Sequence, residues 1–324
     1  MTLPLFDAHC DTITALAPGE TLMHNSKHLS LSRAAKYRPY AQVFAIFSRP
    51  WQEGFDPASI DYTRDFPQDV LIAEGEKYLT KLLAEFDRER EVLSLCRSAS
   101  DAQNAALDGK AAGFIAVEGA ELLGCDLTRL QDAYNAGVRL INLCWNFDNA
   151  LCGSAAASGG GLTPLGRGYV RRMQELGVAV DLSHASERTF WDVLEISTRP
   201  VLAGHSNSKA LCNHSRNLTD AQFRALVSTG GVAGINLCPA FLNDSGAATI
   251  DDIVRHIEHF LELGGERTLC LGADWDGVDS LPAGISGVED AEKIYTALLT
   301  RGVAESTIRD IFYNNLMNFL EKSL

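Results

Sequence analysis

Six side chains able to bind a metal ion or move a proton close apolar runs in this sequence. His9 and Asp11 end Phe6-Asp7-Ala8-His9-Cys10-Asp11, Glu118 ends FIAVE, His184 ends Asp-Leu-Ser-His, His205 follows VLAG, and Asp274 follows LGA. In an extended segment alternate side chains share a face, so His9 and Asp11 point the same way and make half a shell for a cation. A glutamate finishing an apolar strand is costly to bury unless it is paired or holds a metal. Three imidazoles and three carboxylates exceed the needs of one tetrahedral zinc. They suit two metal ions about 3.5–4 Å apart, bridged by a carboxylate and sharing a hydroxide. Plainer readings exist for single members. His184 could cap the helix that follows it, His205 could be a satisfied core histidine, and Asp276 competes with Asp274, which is preferred because it lies directly at the strand end.

The elements that must position these groups are strands. Apolar, β-type runs lie at the N-terminus and at 41–47, 113–117, 138–144, 177–182, 200–204, 231–237 and 268–273. They read as parallel strands buried on both faces. Helices are expected over 66–90, entered through Pro67, then 127–136, 164–176 behind the cap Thr163, 187–196, 220–228 and 251–263, with two more closing the chain. Eight strands alternating with helices predict a (β/α)8 barrel of the TIM type, in the α/β class, with one domain over 1–324. A doubly wound open sheet is the competitor. The six candidate residues come from five strands, each at the C-terminal end, and a barrel gathers those ends at one mouth.

A chain of 324 residues with 46% hydrophobic content can bury a large core. Its net charge of −14 speaks against nucleic acid or an anionic membrane as partner. No run of about 20 apolar residues is present to span a bilayer, and the N-terminus has no secretion-signal pattern. The eight cysteines include no CxxC pair, and Cys144, Cys238 and Cys270 sit inside apolar runs, which fits a reduced, cytoplasmic setting. His256 and His259 fall beside or opposite the apolar face of their helix and are expected at the surface, as are His24 and His28. There is no HExxH motif, no phosphate loop and no dinucleotide fingerprint. Gly204-His205-Ser206-Asn207-Ser208 lacks the last glycine of a nucleophile elbow.

Five segments, FDAHCDT, AVEGAE, GLTPLGRGYVRRMQELGVAVDLSHAS, VLAGHSNSKALCNHSRNLTD and LGADWDGVD, resemble the renal (membrane) dipeptidase family of metallopeptidases, among the amidohydrolase-like barrel enzymes. The resemblance covers nearly the whole chain. It implies a binuclear zinc site in which His9 and Asp11 hold one ion, His184 and His205 hold the other, and Glu118 bridges them. Asp274 would complete the first site and shuttle the proton, so that Glu118 and Asp274 are the expected catalytic carboxylates. Arg216 matches the arginine that grips the terminal carboxylate of a dipeptide. Trp145 stands where family members usually carry a histidine that polarises the scissile carbonyl, and an indole N–H can donate a hydrogen bond but cannot take up a proton. The expected activity is hydrolysis of dipeptides or similar small amides, and the resemblance suggests a homodimer. Two other readings stay open: a barrel hydrolase of an N-acyl amino acid, cyclic amide or lactone, and a metal-binding homologue without catalysis.

Overall fold

The computed structural model describes residues 2–48 and 67–324. Nine parallel strands carry the fold: β1 (Leu5–Cys10), β2 (Tyr40–Ile46), β3 (Leu93–Leu95), β4 (Ala111–Glu118), β5 (Val138–Asn142), β6 (Ala179–Asp181), β7 (Leu202–Ala203), β8 (Val232–Ile235) and β9 (Leu269–Leu271). Eight of them close on themselves in the order β1-β2-β4-β5-β6-β7-β8-β9, with β9 paired back to β1 through Asp7 and Leu271. The expected (β/α)8 barrel is therefore present. The short β3 pairs with the first three residues of β4 and stands outside the ring count.

Strand period sorts the residues into two layers. Ala41, Val43 and Ala45 pair laterally with Ala112, Phe114 and Ala116. With Phe6, Ala8, Leu140 and Leu202 they form an inner cluster, joined by Leu316, Phe319 and Leu320 of the last helix. The alternate residues Phe44, Ile46, Ile115 and Val117 face outward and pack with Leu71, Leu82 and Phe86 of the helix Gln68–Arg88. Small residues fill much of the inner layer, as a narrow barrel requires.

Helices Leu127–Ala136 and Glu187–Ile196 have the bounds expected from the sequence. The expected start at Phe66 lies outside the described residues, and the helix runs over Gln68–Arg88 with Pro67 at its entry. Thr163 caps Pro164–Leu176 by accepting from the Gly166 amide, and Thr219 with Gln222 makes a capping box on Asp220–Thr229. Two elements had no legible signal. A strand of three residues is too short to display alternation, and the helix Ala99–Leu107 buries only alanines. The assigned strands β6, β7 and β9 are also shorter than their apolar runs, although Leu182, Thr268 and Gly272 beyond them still make backbone hydrogen bonds to neighbouring strands.

Two glycines close to the mouth are required by the approach of a neighbouring backbone. A Cβ at Gly234 or Gly272 would overlap the carbonyl oxygen of Gly204. Gly234→Ala must push β7, β8 and β9 apart. We expect a loss of about 1–3 kcal/mol, the usual cost of overpacking, read as a lower denaturation midpoint at unchanged m-value; an unshifted midpoint would mean that the strands have room.

No helix among the described residues is long and apolar enough to cross a membrane. All eight cysteines are free thiols, seven of them buried.

Candidate metal centre

The barrel brings all six expected residues to one end. Glu118 follows Phe114 and Ala116 on the inner face of β4 by simple alternation. β1 needs a correction to its ladder: pairing with β2 slips between Asp7 and Cys10, and His9 sits in that irregular stretch. Asp274 stands beside it, its amide donating to the His9 carbonyl oxygen at 3.2 Å. His184 and Asp274 both have left-handed backbone, with φ of 71° and 62°. That region is uncommon for residues with a side chain, and strain of this kind concentrates at functional sites.

The donor atoms form two groups that share one carboxylate. In the first, His9 Nε2 lies 3.6 Å from Asp11 Oδ1, 3.7 Å from Glu118 Oε2 and 3.9 Å from Asp274 Oδ1. In the second, His184 Nε2 and His205 Nε2 are 3.0 Å apart, and Glu118 Oε1 is 2.8 Å from the former and 3.5 Å from the latter. Donors about 2.0–2.1 Å from a tetrahedral zinc stand roughly 3.3 Å from one another, so the first group has the span of a coordination shell. His9 Nε2, Asp11 Oδ1 and Glu118 Oε2 are buried without a hydrogen-bond partner among the described residues. Buried polar atoms are rarely left so, and a cation would satisfy all three.

Electrostatics point the same way. Burial, reinforced by the Glu118 charge, pushes Asp11 up to about 8. Burial also raises Asp274. Burial alone would raise Glu118 too, but His9 and the other two imidazoles beside it hold it well below the usual range. Burial would lower His9, yet Glu118 and Asp11 drive it well above 6.5. His184 is pushed down to about 3 by burial and Arg216, and His205 is lowered by burial and His9. The site thus gathers carboxylates that repel one another and two neutral imidazoles with free lone pairs. That combination suits divalent cations.

The plainer readings of single residues fail. Ser186, not His184, caps Glu187–Ile196, accepting from the Thr189 amide at 3.0 Å. His205 Nδ1 has no hydrogen-bond partner among the described residues, so it is no satisfied core histidine. Asp276 is an anchor outside the donor set, accepting from Thr12 Oγ1 and the His28 amide, each at 2.6 Å. Three surface assignments are corrected. His256 is buried, its Nδ1 accepting from the Ser208 amide and its Nε2 donating to the Leu242 carbonyl, each at 3.0 Å. His259 is half-buried against Asp220, and His28 is half-buried, accepting from the Asp276 amide at 3.1 Å; only His24 is exposed. A helical wheel cannot show a loop lying across the polar side of a helix.

A cavity of about 180 Å³ adjoins the donors, walled by Trp145, Asn146, Arg216 and Phe241. Arg216 is 6% exposed, and its Nε and Nη2 have no hydrogen-bond partner among the described residues. Its guanidinium stands 5.6 Å from the centre of the Phe241 ring. The Trp145 ring packs tilted against those of Phe47 and Phe147, with centroids 5.1 and 5.3 Å away. Several contributors carried no sequence signal. Asn146 Oδ1 accepts from His184 Nδ1 at 2.7 Å, which leaves Nε2 with its lone pair. Asn236 Nδ2 donates to Asp274 Oδ2 at 2.9 Å. Glu121 holds the loop after β5, accepting from the Trp145 amide at 3.2 Å and Asn149 Nδ2 at 2.8 Å.

The model of the membrane dipeptidase family, peptidase family M19, matches residues 1–323. An "uncharacterized protein in pqqA 5'region" of Klebsiella pneumoniae is 35% identical over 240 residues, covering 71% of this chain and 88% of the relative. An "uncharacterized protein in PQQ-III 3'region" of Acinetobacter calcoaceticus is 30% identical over 287 residues, covering 80% and 90%. Among solved structures, a metallo peptidase from Rhodobacter sphaeroides liganded with a phosphinate mimic of L-Ala-D-Ala superposes with a TM-score of 0.89 at 25% identity, covering all of both chains. The dipeptidase AC, an M19 metallo peptidase, gives 0.89 at 27% identity, over 100% of this chain and 99% of that one. The chain belongs to the membrane dipeptidase family of metallopeptidases.

Proposed function

We propose that this member of the membrane dipeptidase family is a zinc-dependent dipeptidase with a binuclear centre. The observation that carries the reading is the division of Glu118: Oε2 faces His9, and Oε1 faces His184 and His205. A carboxylate with each oxygen turned to a separate donor group is what a bridging ligand requires. His9, Asp11 and Asp274 would hold one ion and His184 and His205 the other. Two such ions would supply an acidified water and polarisation of the scissile carbonyl.

The remaining steps belong to side chains. Arg216 binds the terminal carboxylate of the substrate through its unpartnered Nε and Nη2, a fork matched to a carboxylate. Asp274, held at Oδ2 by Asn236, takes the proton of the attacking water at Oδ1 and returns it to the leaving amine, a base becoming an acid. Trp145 and Phe241 wall the cavity and limit access of bulk water. Trp145 supplies at most one donated hydrogen bond where relatives usually place a histidine. That substitution favours a second reading, hydrolysis of an N-acyl amino acid, cyclic amide or lactone.

The test is a substrate panel run before and after metal removal. L,L and L,D dipeptides with a free carboxylate should turn over, lose turnover on chelation, and regain it at two equivalents of zinc per chain. Cleavage of lactones or N-acyl amino acids by a protein that leaves every dipeptide intact would replace the reading with the second one. Two bound zincs with no hydrolysis across the panel would mark a non-catalytic homologue.

A further inference from the structure

Two buried aspartates take no part in the cavity, yet each ties together a pair of strands that ends in donor residues. Asp7 is fully buried. Its Oδ1 accepts from the His9 amide and from Gln42 Nε2, both at 3.0 Å, and its Oδ2 accepts from the Ala273 amide at 2.9 Å. Ala273 is the residue before Asp274, so one carboxylate fixes the backbone at both His9 and Asp274. Asp181 is 3% exposed. Its Oδ1 accepts from the Ser183 amide at 2.8 Å and the Gly204 amide at 3.0 Å. Those residues immediately precede His184 and His205. Gly204 is required here, because a Cβ would strike Asp181 Oδ2.

We infer that Asp7 and Asp181 are a matched pair of positioning residues, each setting one of the two cation subsites: Asp7 the His9–Asp274 group, Asp181 the His184–His205 group. The inference rests on the binuclear reading above and adds to it a division of labour. Each aspartate is buried and acts through backbone amides. The slip in the β1–β2 ladder between Asp7 and Cys10 is bridged by the Asp7–His9 bond, and the left-handed His184 follows the amide held by Asp181. Both carboxylates therefore stabilise backbone that departs from regular strand geometry just where donors must converge. Supporting groups of this kind commonly alter metal affinity by about 10–100-fold.

The two sites differ in a way that a single conservative change can read. Asp181 uses one oxygen for both amides, so Asp181→Asn keeps its acceptor. Asp7 uses both oxygens, so Asp7→Asn sets an amide N–H₂ against either the Ala273 amide or the His9 amide and Gln42. The experiment is stepwise zinc affinity of the full chain by chelator competition, with the metal-free melting temperature measured alongside, for Asp7→Asn, Asp181→Asn, Asp7→Ala and Asp181→Ala. The expected result is a loss of about 10–100-fold in one binding step for Asp7→Asn and Asp7→Ala. Asp181→Ala should weaken the other step by a similar factor, and Asp181→Asn should stay near the parent. Equal weakening of both steps, unchanged affinity, or equal behaviour of the two asparagine variants would overturn the inference. If either alanine variant does not fold, the asparagine contrast decides alone. A parent chain that does not take two zincs would instead sink the binuclear reading, which keeps the two failures apart.

Discussion

Glu118→Gln folds, loses metal and stops turning over dipeptides. The substitution keeps size and shape but puts an N–H₂ where one of the two oxygens stood. Either that group faces His9, leaving the first cation with a donor missing, or it faces His184 and His205 and strips the second. Zinc content is expected to fall from two per chain to one or fewer, and kcat/KM for dipeptides by at least about 10³-fold, the upper end of the cost of losing one well-placed electrostatic element. The metal-free variant should melt somewhat below the metal-free parent, because His9 and the other two imidazoles favour the Glu118 charge, and that stabilisation goes with it. Elemental analysis, steady-state kinetics and thermal melts check the three parts. Turnover that survives the change would show that the bridging role is misassigned.

The six donors were legible because each interrupts a pattern. A polar, ionisable side chain closing a run of Ile, Val, Ala and Leu contradicts burial unless something pays for it, and the contradiction recurred at Glu118, His184, His205 and Asp274 on strands that only a barrel brings together. The same logic found Arg216 only through the family resemblance, since Asn-His-Ser-Arg-Asn reads as an ordinary polar loop. Asn146, Glu121 and Asn236 were silent for a physical reason. Their roles depend on which loop lies over which strand end, and nothing local to a loop encodes its neighbour. His256 was misread for a similar reason: its partners, Ser208 and Leu242, lie 48 and 14 residues away in the chain. Asp7 lies next to the most informative motif in the chain, yet alternation alone assigns it to the strand rather than to the support of His9.

Arg216→Met should cost the enzyme its preference for a free carboxylate while costing the fold nothing. The guanidinium is buried with two of its nitrogens unpartnered among the described residues, and the nearby Asp274, Glu118 and Asp181 charges offset only part of its desolvation, so in the free protein it carries a net penalty. Methionine fills similar volume over the Phe241 ring without that penalty, and the variant should melt at or above the parent. For dipeptides, loss of a buried, charge-assisted fork is worth roughly 2–5 kcal/mol, or about 30- to 5,000-fold in kcat/KM. C-terminally amidated dipeptides never offered the second partner and should lose far less, so the ratio of acid to amide collapses toward one. Arg216→Lys keeps the charge but not the planar fork and should fall between the two. Because the interaction is present before and during reaction, the loss should enter mainly through KM. A variant that loses equally on acid and amide would place Arg216 in support of the donors rather than in contact with substrate. The lowering of His184 by the Arg216 charge then becomes the effect to examine: without that charge, His184 would compete more strongly for a proton, and metal binding would weaken as pH falls.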